Sequence, residues 1–164
     1  MTVISTNKDP ETLILALVAE FDSTPERVWT VWEDPRKLEQ WWGPPTYPAT
    51  FTRHDFVPGG ESRYFMTGPG GETPRGWWRI DVIDKPHRLE FANGLADEDS
   101  EPAPGIEPMT GYVMFEQLEA GTRMTAVTKF VDAAQMETML GMGMQEGMTQ
   151  AIGQIDALLL SVAK

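Results

Sequence analysis

The sequence predicts an α+β fold in which a curved antiparallel sheet of about seven strands wraps around one long C-terminal helix. Apolar and polar residues alternate with a period of two from about residue 49 to residue 131, and turn signals such as VPGG and PGGE interrupt the alternation. Residues 133–163 then place apolar side chains at helical spacing. An antiparallel sheet with one apolar face must be covered, and this helix is the only predicted element large enough to cover it.

The first third of the chain predicts one strand followed by two short helices. Residues 12–21 form an apolar, partly β-branched run that favours a strand. Any of the residues Asp-Ser-Thr at 22–24 can cap the next helix, which has Pro25 near its start and apolar residues at helical spacing until Pro35. A second short helix, RKLEQWW, is expected to end at the following Gly-Pro-Pro, because prolines cannot continue it.

The middle of the chain predicts a meander that ends in a hairpin. Four strands are expected at residues 49–56, 61–68, 76–84 and 88–94, and a final hairpin at residues 110–119 and 122–131. Residues 95–108 are rich in acid and proline, which predicts a long exposed loop or flap. Residues 133–163 complete the chain with the amphipathic helix. Its apolar positions are Met136, Leu140, Met144, Met148, Ile152, Ile155, Leu159 and Val162.

Composition limits the classes of function. The net charge of -12 disfavours nucleic acid as a partner, because phosphate backbones would be repelled. The chain contains no cysteine, which excludes disulfides and cysteine-bearing zinc sites. No apolar run is long enough to span a membrane and no signal peptide is recognised, so we expect a soluble, cytoplasmic protein. Residues 1–164 are expected to form a single domain with a flexible N-terminal segment at residues 1–11, and its edge strands make a homodimer conceivable.

Several motifs resemble a known family. STPERVWTVWEDPRKLEQWWGPP, DFVPGGESRYFM, GWWRIDVIDKPHRLEF, GTRMTAVTKF and GMGMQEGMTQAIGQIDALL occur in the order seen in the family named for the C-terminal domain of the Hsp90 ATPase activator. The resemblance covers about residues 12–160 and implies the helix-grip fold of the START/Bet v 1-like (SRPBCC) superfamily. That superfamily includes lipid carriers, hormone receptors and cyclases, so the resemblance implies a fold more than an activity. The chain departs from the family pattern at Ser62 and Met148, and both changes would enlarge or soften the space between helix and sheet.

The adjacent tryptophans Trp41 and Trp42 are the first candidate site residues. Neighbours on a helix point about 100° apart, so the two rings cannot share one apolar stripe. We expect one ring to anchor the short helix to the core and the other to face the mouth of a cavity or solvent. Core packing and ligand contact are both open for each ring.

Strand parity selects further side chains that face the helix. Expected inward positions are Ser62, Tyr64 and Met66; Trp78, Ile80 and Val82; Leu89 and Phe91; and Met124, Ala126, Thr128 and Phe130. The predicted ligand-binding residues are Trp41, Trp42, Ser62, Tyr64, Met66, Trp78, Phe91, Met124, Thr128, Met144, Gly147 and Met148. The hydroxyl groups in this set could bond to a ligand or, alternatively, to backbone or trapped water.

The C-terminal helix contains a cluster of glycines beside its methionines. Glycine inside a helix costs about 0.5–1 kcal/mol relative to alanine, so Gly141, Gly143, Gly147 and Gly153 need an explanation. Two explanations are open. The glycines could allow close backbone packing against the sheet, or they could leave room beside flexible methionines that adapt to apolar guests.

Catalytic and metal-binding motifs are sparse. His54 and His87 have no histidine or carboxylate cluster around them, so we expect solvated strand residues and predict no metal site, no cofactor and no assigned catalytic residue. Arg53, Arg63 and Arg79 are expected on the outer face, where they would pair across strands with acids. The candidate acids are Asp55, Glu61, Asp81 and Glu90.

Three hypotheses for function remain open from the sequence. The first is non-catalytic binding or carriage of a small hydrophobic molecule between sheet and helix. The second is an enzyme of the cyclase or hydratase kind, using Tyr64, Ser62 or His54 for proton transfer. The third is a protein-binding module, associated with a chaperone.

Overall fold

The computed structural model of the chain describes residues 3–162. Its strands are β1 (Val3–Asp9), β2 (Ile14–Phe21), β3 (Ala49–His54), β4 (Glu61–Met66), β5 (Arg75–Asp84), β6 (Arg88–Ala96), β7 (Met109–Leu118) and β8 (Gly121–Lys129). Its helices are α1 (Pro25–Glu33), α2 (Pro35–Leu38), α3 (Ala133–Gly141), α4 (Met144–Ile152) and α5 (Ile155–Val162). The strands form one antiparallel sheet of eight in the order β1-β2-β8-β7-β6-β5-β4-β3, and α1, α4 and α5 lie against its inner face. The predicted α+β class is confirmed.

The two short helices follow β2 and place the tryptophans. The Thr24 hydroxyl accepts a hydrogen bond from the backbone N–H of Arg27 at 3.3 Å, which caps α1. The apolar face of α1 is buried against β7 and β8. The helix α2 is shorter than predicted, but its last turn continues through a 2.9 Å bond from the N–H of Trp42 to the carbonyl of Leu38. Trp42 is therefore held in a helical turn just before the Gly-Pro-Pro.

The strand β1 corrects the expectation of a flexible segment at residues 1–11. Residues 3–9 pair antiparallel with β2, and Gln145 of α4 donates a hydrogen bond to the Thr6 hydroxyl at 3.1 Å. The segment has little alternation of its own, so its pattern did not predict a strand. Pairing is favoured because β2 would otherwise present an unpaired edge. Residues 1 and 2 lie outside the described part of the chain.

A bulge in β5 explains the wrong orientation predicted for Val82. Trp78 and Ile80 are buried as expected, but Val82 is an exposed hydrophobic residue. The register between β5 and β6 shifts between Ile80 and Val82, so one extra residue is inserted in β5. Beyond the bulge Ile83 packs against the core in place of Val82.

The long C-terminal helix is divided into three segments, which corrects the prediction of one continuous helix. Gly143 separates α3 from α4 and adopts φ +85°, a left-handed conformation that favours glycine. Gly153 and Gln154 form a turn that interrupts the helical structure between α4 and α5. The apolar pattern continues across both interruptions, and this continuity suggested one helix.

The three arginines are ion-paired, but their shortest pairs join residues two positions apart in sequence, whereas pairs across strands were predicted. Arg53 pairs with Asp55 at 2.6 Å and Arg79 with Asp81 at 3.1 Å, while Arg63 lies 2.6 Å from Glu61. The Arg53–Asp55 and Arg79–Asp81 pairs are exposed and contribute little stability, because solvent screens them, whereas Arg63 is largely buried.

Candidate functional site

A cavity of about 330 Å³ lies between the inner face of the sheet and helices α3 and α4. Aromatic and sulfur-containing side chains make up much of its wall, and none of its lining residues carries a formal charge. The lining residues are Trp32, Trp41, Trp42, Pro44, Tyr64, Met66, Phe91, Asn93, Gly94, Leu95, Met109, Gly111, Val113, Ala126, Val127, Thr128, Met139, Met142, Gly143, Met144, Gly147, Met148, Ala151 and Ile152.

Trp32, Trp41 and Trp42 line this cavity and belong to a larger aromatic cluster. Trp41 is buried and donates a hydrogen bond from its indole nitrogen to the carbonyl of Val31 at 2.9 Å, which ties it to α1. The neighbouring Trp42 is only partly buried and packs edge-on against Trp78, with ring centroids 4.8 Å apart. Trp78 in turn stacks on Phe91 at 4.5 Å. Trp41 anchors the segment to α1, and both rings contribute to the cavity wall.

A glutamine at the break between α4 and α5 holds the tryptophan segment in place. The side-chain amide of Gln154 donates to the carbonyl of Gly43 at 2.7 Å and to that of Trp41 at 3.4 Å. A side chain at Gly43 would approach the Tyr47 carbonyl oxygen to 1.9 Å, so this position requires glycine. Gln154, at the interruption of the C-terminal helix, therefore holds the backbone on both sides of Trp42.

The polar groups of the cavity wall are few and neutral. The hydroxyls of Tyr64 and Thr128 and the amide of Asn93 belong to lining residues. Burial raises the pKa of the Tyr64 phenol, and the nearby Trp42 side chain partly opposes this shift. Tyr64 is thus protonated at neutral pH and can donate a hydrogen bond. Among the described residues, it is the one titratable side chain in the wall.

The indole nitrogens of four tryptophans are buried without a hydrogen-bond partner. They belong to Trp29, Trp32, Trp42 and Trp78. Each ring packs edge-on or tilted against other aromatic rings of the cluster. An unpaired buried donor costs about 1–3 kcal/mol, so this end of the molecule combines dense packing with incomplete hydrogen bonding.

The helix glycines beside the cavity leave space. A Cβ atom added at Gly141, Gly143 or Gly147 would have no heavy atom within 4 Å. Of the two explanations open from the sequence, close packing against the sheet therefore does not apply to these three positions. Gly153 differs, since a Cβ there would lie 3.3 Å from the Thr149 carbonyl oxygen. Gly147 lines the cavity, and its missing side chain contributes to the open volume.

His54 and Ser62 form a hydrogen-bonded pair behind the aromatic wall. The Nε2 atom of His54 lies 2.9 Å from the carbonyl of Trp32, and its Nδ1 atom lies 2.8 Å from the Ser62 hydroxyl. Because a carbonyl only accepts, Nε2 carries the proton and the Ser62 hydroxyl donates to Nδ1. Burial lowers the pKa of His54, so the imidazole is neutral at neutral pH. The expectation of a solvated His54 is therefore wrong, whereas His87 is exposed as predicted.

The structure places most of the predicted site residues in the cavity wall. Those that line it are Trp41, Trp42, Tyr64, Met66, Phe91, Thr128, Met144, Gly147 and Met148. Ser62, Trp78 and Met124 do not. Ser62 is turned to His54, Trp78 lies behind Trp42 and Phe91, and Met124 is fully buried in the sheet core. Strand parity assigned the inner face correctly for these three, but an inner-face residue can be covered by its neighbours.

Two groups of lining residues were not predicted. Met109, Gly111 and Val113 alternate along β7, and their parity was available in the sequence. Met139, Met142 and Gly143 come from α3 and the turn that follows it. Their methionine and glycine content was the only signal. Contact with the cavity depends on the helix break at Gly143.

Metal and membrane features are absent from the described residues. Over residues 3–162, no group of three or more His, Asp or Glu side chains is placed to hold a metal ion. Within the same span, no helix has the length and apolar character needed to cross a membrane.

Solved structures from bacteria share this architecture. A protein of Arthrobacter aurescens is 51% identical, with 98% of this chain and 93% of that chain covered and a TM-score of 0.93. A protein of Mycobacterium smegmatis is 44% identical, with 96% of each chain covered and a TM-score of 0.89. A protein of Rhodobacter sphaeroides, at 22% identity and a TM-score of 0.82 over 96% of this chain and 98% of that one, shares the fold. No curated protein matches the chain.

The family comparison agrees with the motifs and the helix-grip architecture. The family described as Activator of Hsp90 ATPase homolog 1-like protein matches residues 22–160. This span includes α1, the aromatic cluster, the meander and the cavity-lining helices. The chain belongs to the Activator of Hsp90 ATPase homolog 1-like family.

Proposed function

We propose that this protein binds a small hydrophobic molecule in the cavity between the sheet and α4, without catalysing a reaction on it. The observation that carries the proposal is an interior space of about 330 Å³ whose lining residues carry no formal charge. Ligand cavities in proteins typically measure about 300–1,000 Å³ and are predominantly apolar. Binding would be driven by removal of apolar surface from water.

The helix side of the cavity suits guests of variable shape. Met139, Met144 and Met148 are partly buried and pack against the core cluster. Methionine has three rotatable bonds and a polarisable sulfur, so it adapts to irregular apolar surfaces. Gly147 adds room between these side chains.

The sheet side supplies orientation. The hydroxyls of Tyr64 and Thr128 can each donate a hydrogen bond, and Tyr64 stays protonated because burial raises its pKa. A ligand with one acceptor oxygen would satisfy such a donor, whereas a pure hydrocarbon would not. We therefore expect a molecule with an apolar body and a neutral acceptor group.

The non-catalytic function is favoured over a cyclase or hydratase by the placement of the titratable groups. His54 and Ser62, the strongest proton-transfer pair, lie behind the aromatic wall and do not line the cavity. Tyr64 alone would have to serve as acid and base, and its raised pKa disfavours the deprotonated form. A chaperone-associated role is supported by the family description and by no feature of the cavity.

The proposal is tested by filling the cavity from Gly147. We expect Gly147→Leu to weaken binding of the uncharged dye Nile red at least tenfold, because the new side chain would occupy the open volume. Its thermal stability should not fall, since the added Cβ meets no heavy atom within 4 Å and leucine is a better helix former than glycine. Fluorescence titration and thermal unfolding measure the two effects.

Matched variants make the test specific. Gly141→Leu places the same side chain at a helical glycine that does not line the cavity, so dye affinity should stay at the wild-type value. Met148→Trp should also reduce dye uptake without unfolding the protein. Wild-type affinity in both Gly147→Leu and Met148→Trp would show that the dye binds elsewhere. Native mass spectrometry of protein purified from its own host would identify a retained ligand directly.

A further inference from the structure

A second cavity of about 280 Å³ adjoins the first on the side of α3. It lies between the segment Gly105–Glu107 of the acidic loop and the beginning of α3. The two cavities share five lining residues: Gly94, Leu95, Met109, Met139 and Met142. The five shared residues therefore lie between the two cavities, and the two cavities are adjacent.

The outer cavity has an exposed apolar rim. Ile106 is 47% exposed, Val131 48% and Met142 65%, and all three line it. Among the described residues, these make up half of the large hydrophobic side chains that are exposed; the others are Val57, Val82 and Leu160. Three such side chains around one opening favour an apolar occupant.

The charges at the rim select against anions. The charged residues that line the outer cavity are Glu107 and Asp132, both acidic. The Asp132 carboxylate also accepts a hydrogen bond from the backbone N–H of Gln135 at 2.8 Å, which caps α3. Neither cavity has a lysine, arginine or histidine among its lining residues, and the chain has a net charge of -12. A carboxylate headgroup would find no counter-ion here and would be repelled.

We infer that the two cavities form one elongated site for an uncharged chain-like molecule, such as a long-chain alcohol, ketone or ester. This inference presupposes the binding function proposed above. The inner cavity takes one end of the molecule, and the outer cavity takes the remainder of the apolar chain. Met139 and Met142 lie at the junction, where their flexible side chains can move aside for the passing chain. The ligand enters between Ile106 and α3, where the apolar rim meets solvent.

The test is a chain-length series measured by displacement of Nile red. Primary alcohols from hexanol to tetradecanol should bind about fourfold more tightly for each methylene that is buried. The alkanoate of equal length should bind at least tenfold more weakly than the alcohol at neutral pH. Equal or tighter binding of the alkanoates would overturn the choice of an uncharged ligand.

Charged substitutions at the rim distinguish the contributions of the two cavities to binding. In Ile106→Glu and Val131→Glu, both at exposed positions, hexanol and the dye should bind as in the wild type. The affinity for tetradecanol should fall at least tenfold, because the outer half of the site is no longer apolar. Val57→Glu is the control, since Val57 is also exposed and lines neither cavity.

Two negative outcomes have different meanings. If the dye and the short alcohols bind but long chains gain nothing over hexanol, or if the rim variants leave the chain-length series unchanged, the elongated site is wrong while the proposed binding function stands. If neither dye nor any alcohol binds to the wild-type protein, the proposed function itself is wrong, and the elongated site is wrong with it.

Discussion

The aromatic end of the interior and the methionine end are packed in opposite ways. At the aromatic end, Trp32 and Trp41 lie with centroids 4.7 Å apart, and Trp78 contacts Phe91 at 4.5 Å. At the other end, a Cβ atom added at Gly143 or Gly147 would have no heavy atom within 4 Å. The chain thus builds one rigid wall and one adaptable wall around the same cavity. A rigid wall favours a defined orientation of a ligand, and an adaptable wall allows variation in its shape.

The difference in packing between the two walls is tested most directly by removing an aromatic ring that supports the rigid wall. Trp78→Ala should lower the free energy of unfolding by about 3–5 kcal/mol, because the ring is fully buried among other aromatic rings and its loss leaves a cavity. Urea denaturation measures the change. At the adaptable wall, Gly147→Ala should instead stabilise the protein by about 0.5–1 kcal/mol through helix propensity. Similar effects at the two positions would contradict the difference between the walls.

Removing the connection between the walls should have an intermediate effect. Gln154→Ala deletes the hydrogen bonds to the carbonyls of Gly43 and Trp41, and we expect a loss of about 1–2 kcal/mol of stability. The freed segment should also change tryptophan fluorescence and weaken Nile red binding, since Trp42 loses its support. Gln150→Ala on α4 is the control, because Gln150 is exposed and does not line the cavity. Unchanged fluorescence in Gln154→Ala would show that the prolines alone position Trp42.

The smallest expected effect concerns pH at the back of the rigid wall. Burial lowers the pKa of His54 below its ordinary value of 6.5, so the unfolded chain binds a proton more readily than the folded one. The stability that neutral His54 contributes is present above pH 6.5 and is lost as pH falls through the folded-state pKa. Melting temperatures between pH 7.5 and pH 5 should therefore fall less in His54→Gln than in the wild type. A melting temperature that falls more in His54→Gln than in the wild type would contradict the predicted direction of this effect.

Much of the inner face was predictable, because alternation along a strand is a local property. Leu89 and Phe91 on β6, and Met124, Ala126 and Thr128 on β8, are buried as their parity predicts. The prediction was wrong at Val82, where the bulge in β5 reverses parity without leaving a mark in the pattern. It also missed β1, because that strand is stabilised by pairing with β2 more than by its own apolar residues.

The candidate site was less predictable, because a cavity is formed by residues that are distant in sequence. Ser62 and Tyr64 share a face of β4, yet one bonds to His54 and the other lines the cavity. The same limit applies to His54, whose burial depends on Trp32, a residue 22 positions earlier in the chain. Side-chain type and parity could not distinguish these outcomes.

The order of strands and helices, the caps of α1 and the polar outer face follow from short-range patterns, since each depends on residues within a few positions of one another. The open space beside Gly147 and the adjacency of the two cavities depend on how α3 and α4 are placed over the sheet. The positive φ of Gly143 and the hydrogen bonds of Gln154 to the carbonyls of Gly43 and Trp41 lie at the two ends of α4. Local patterns specify which surfaces are apolar, but the distance between two apolar surfaces is a property of the assembled chain.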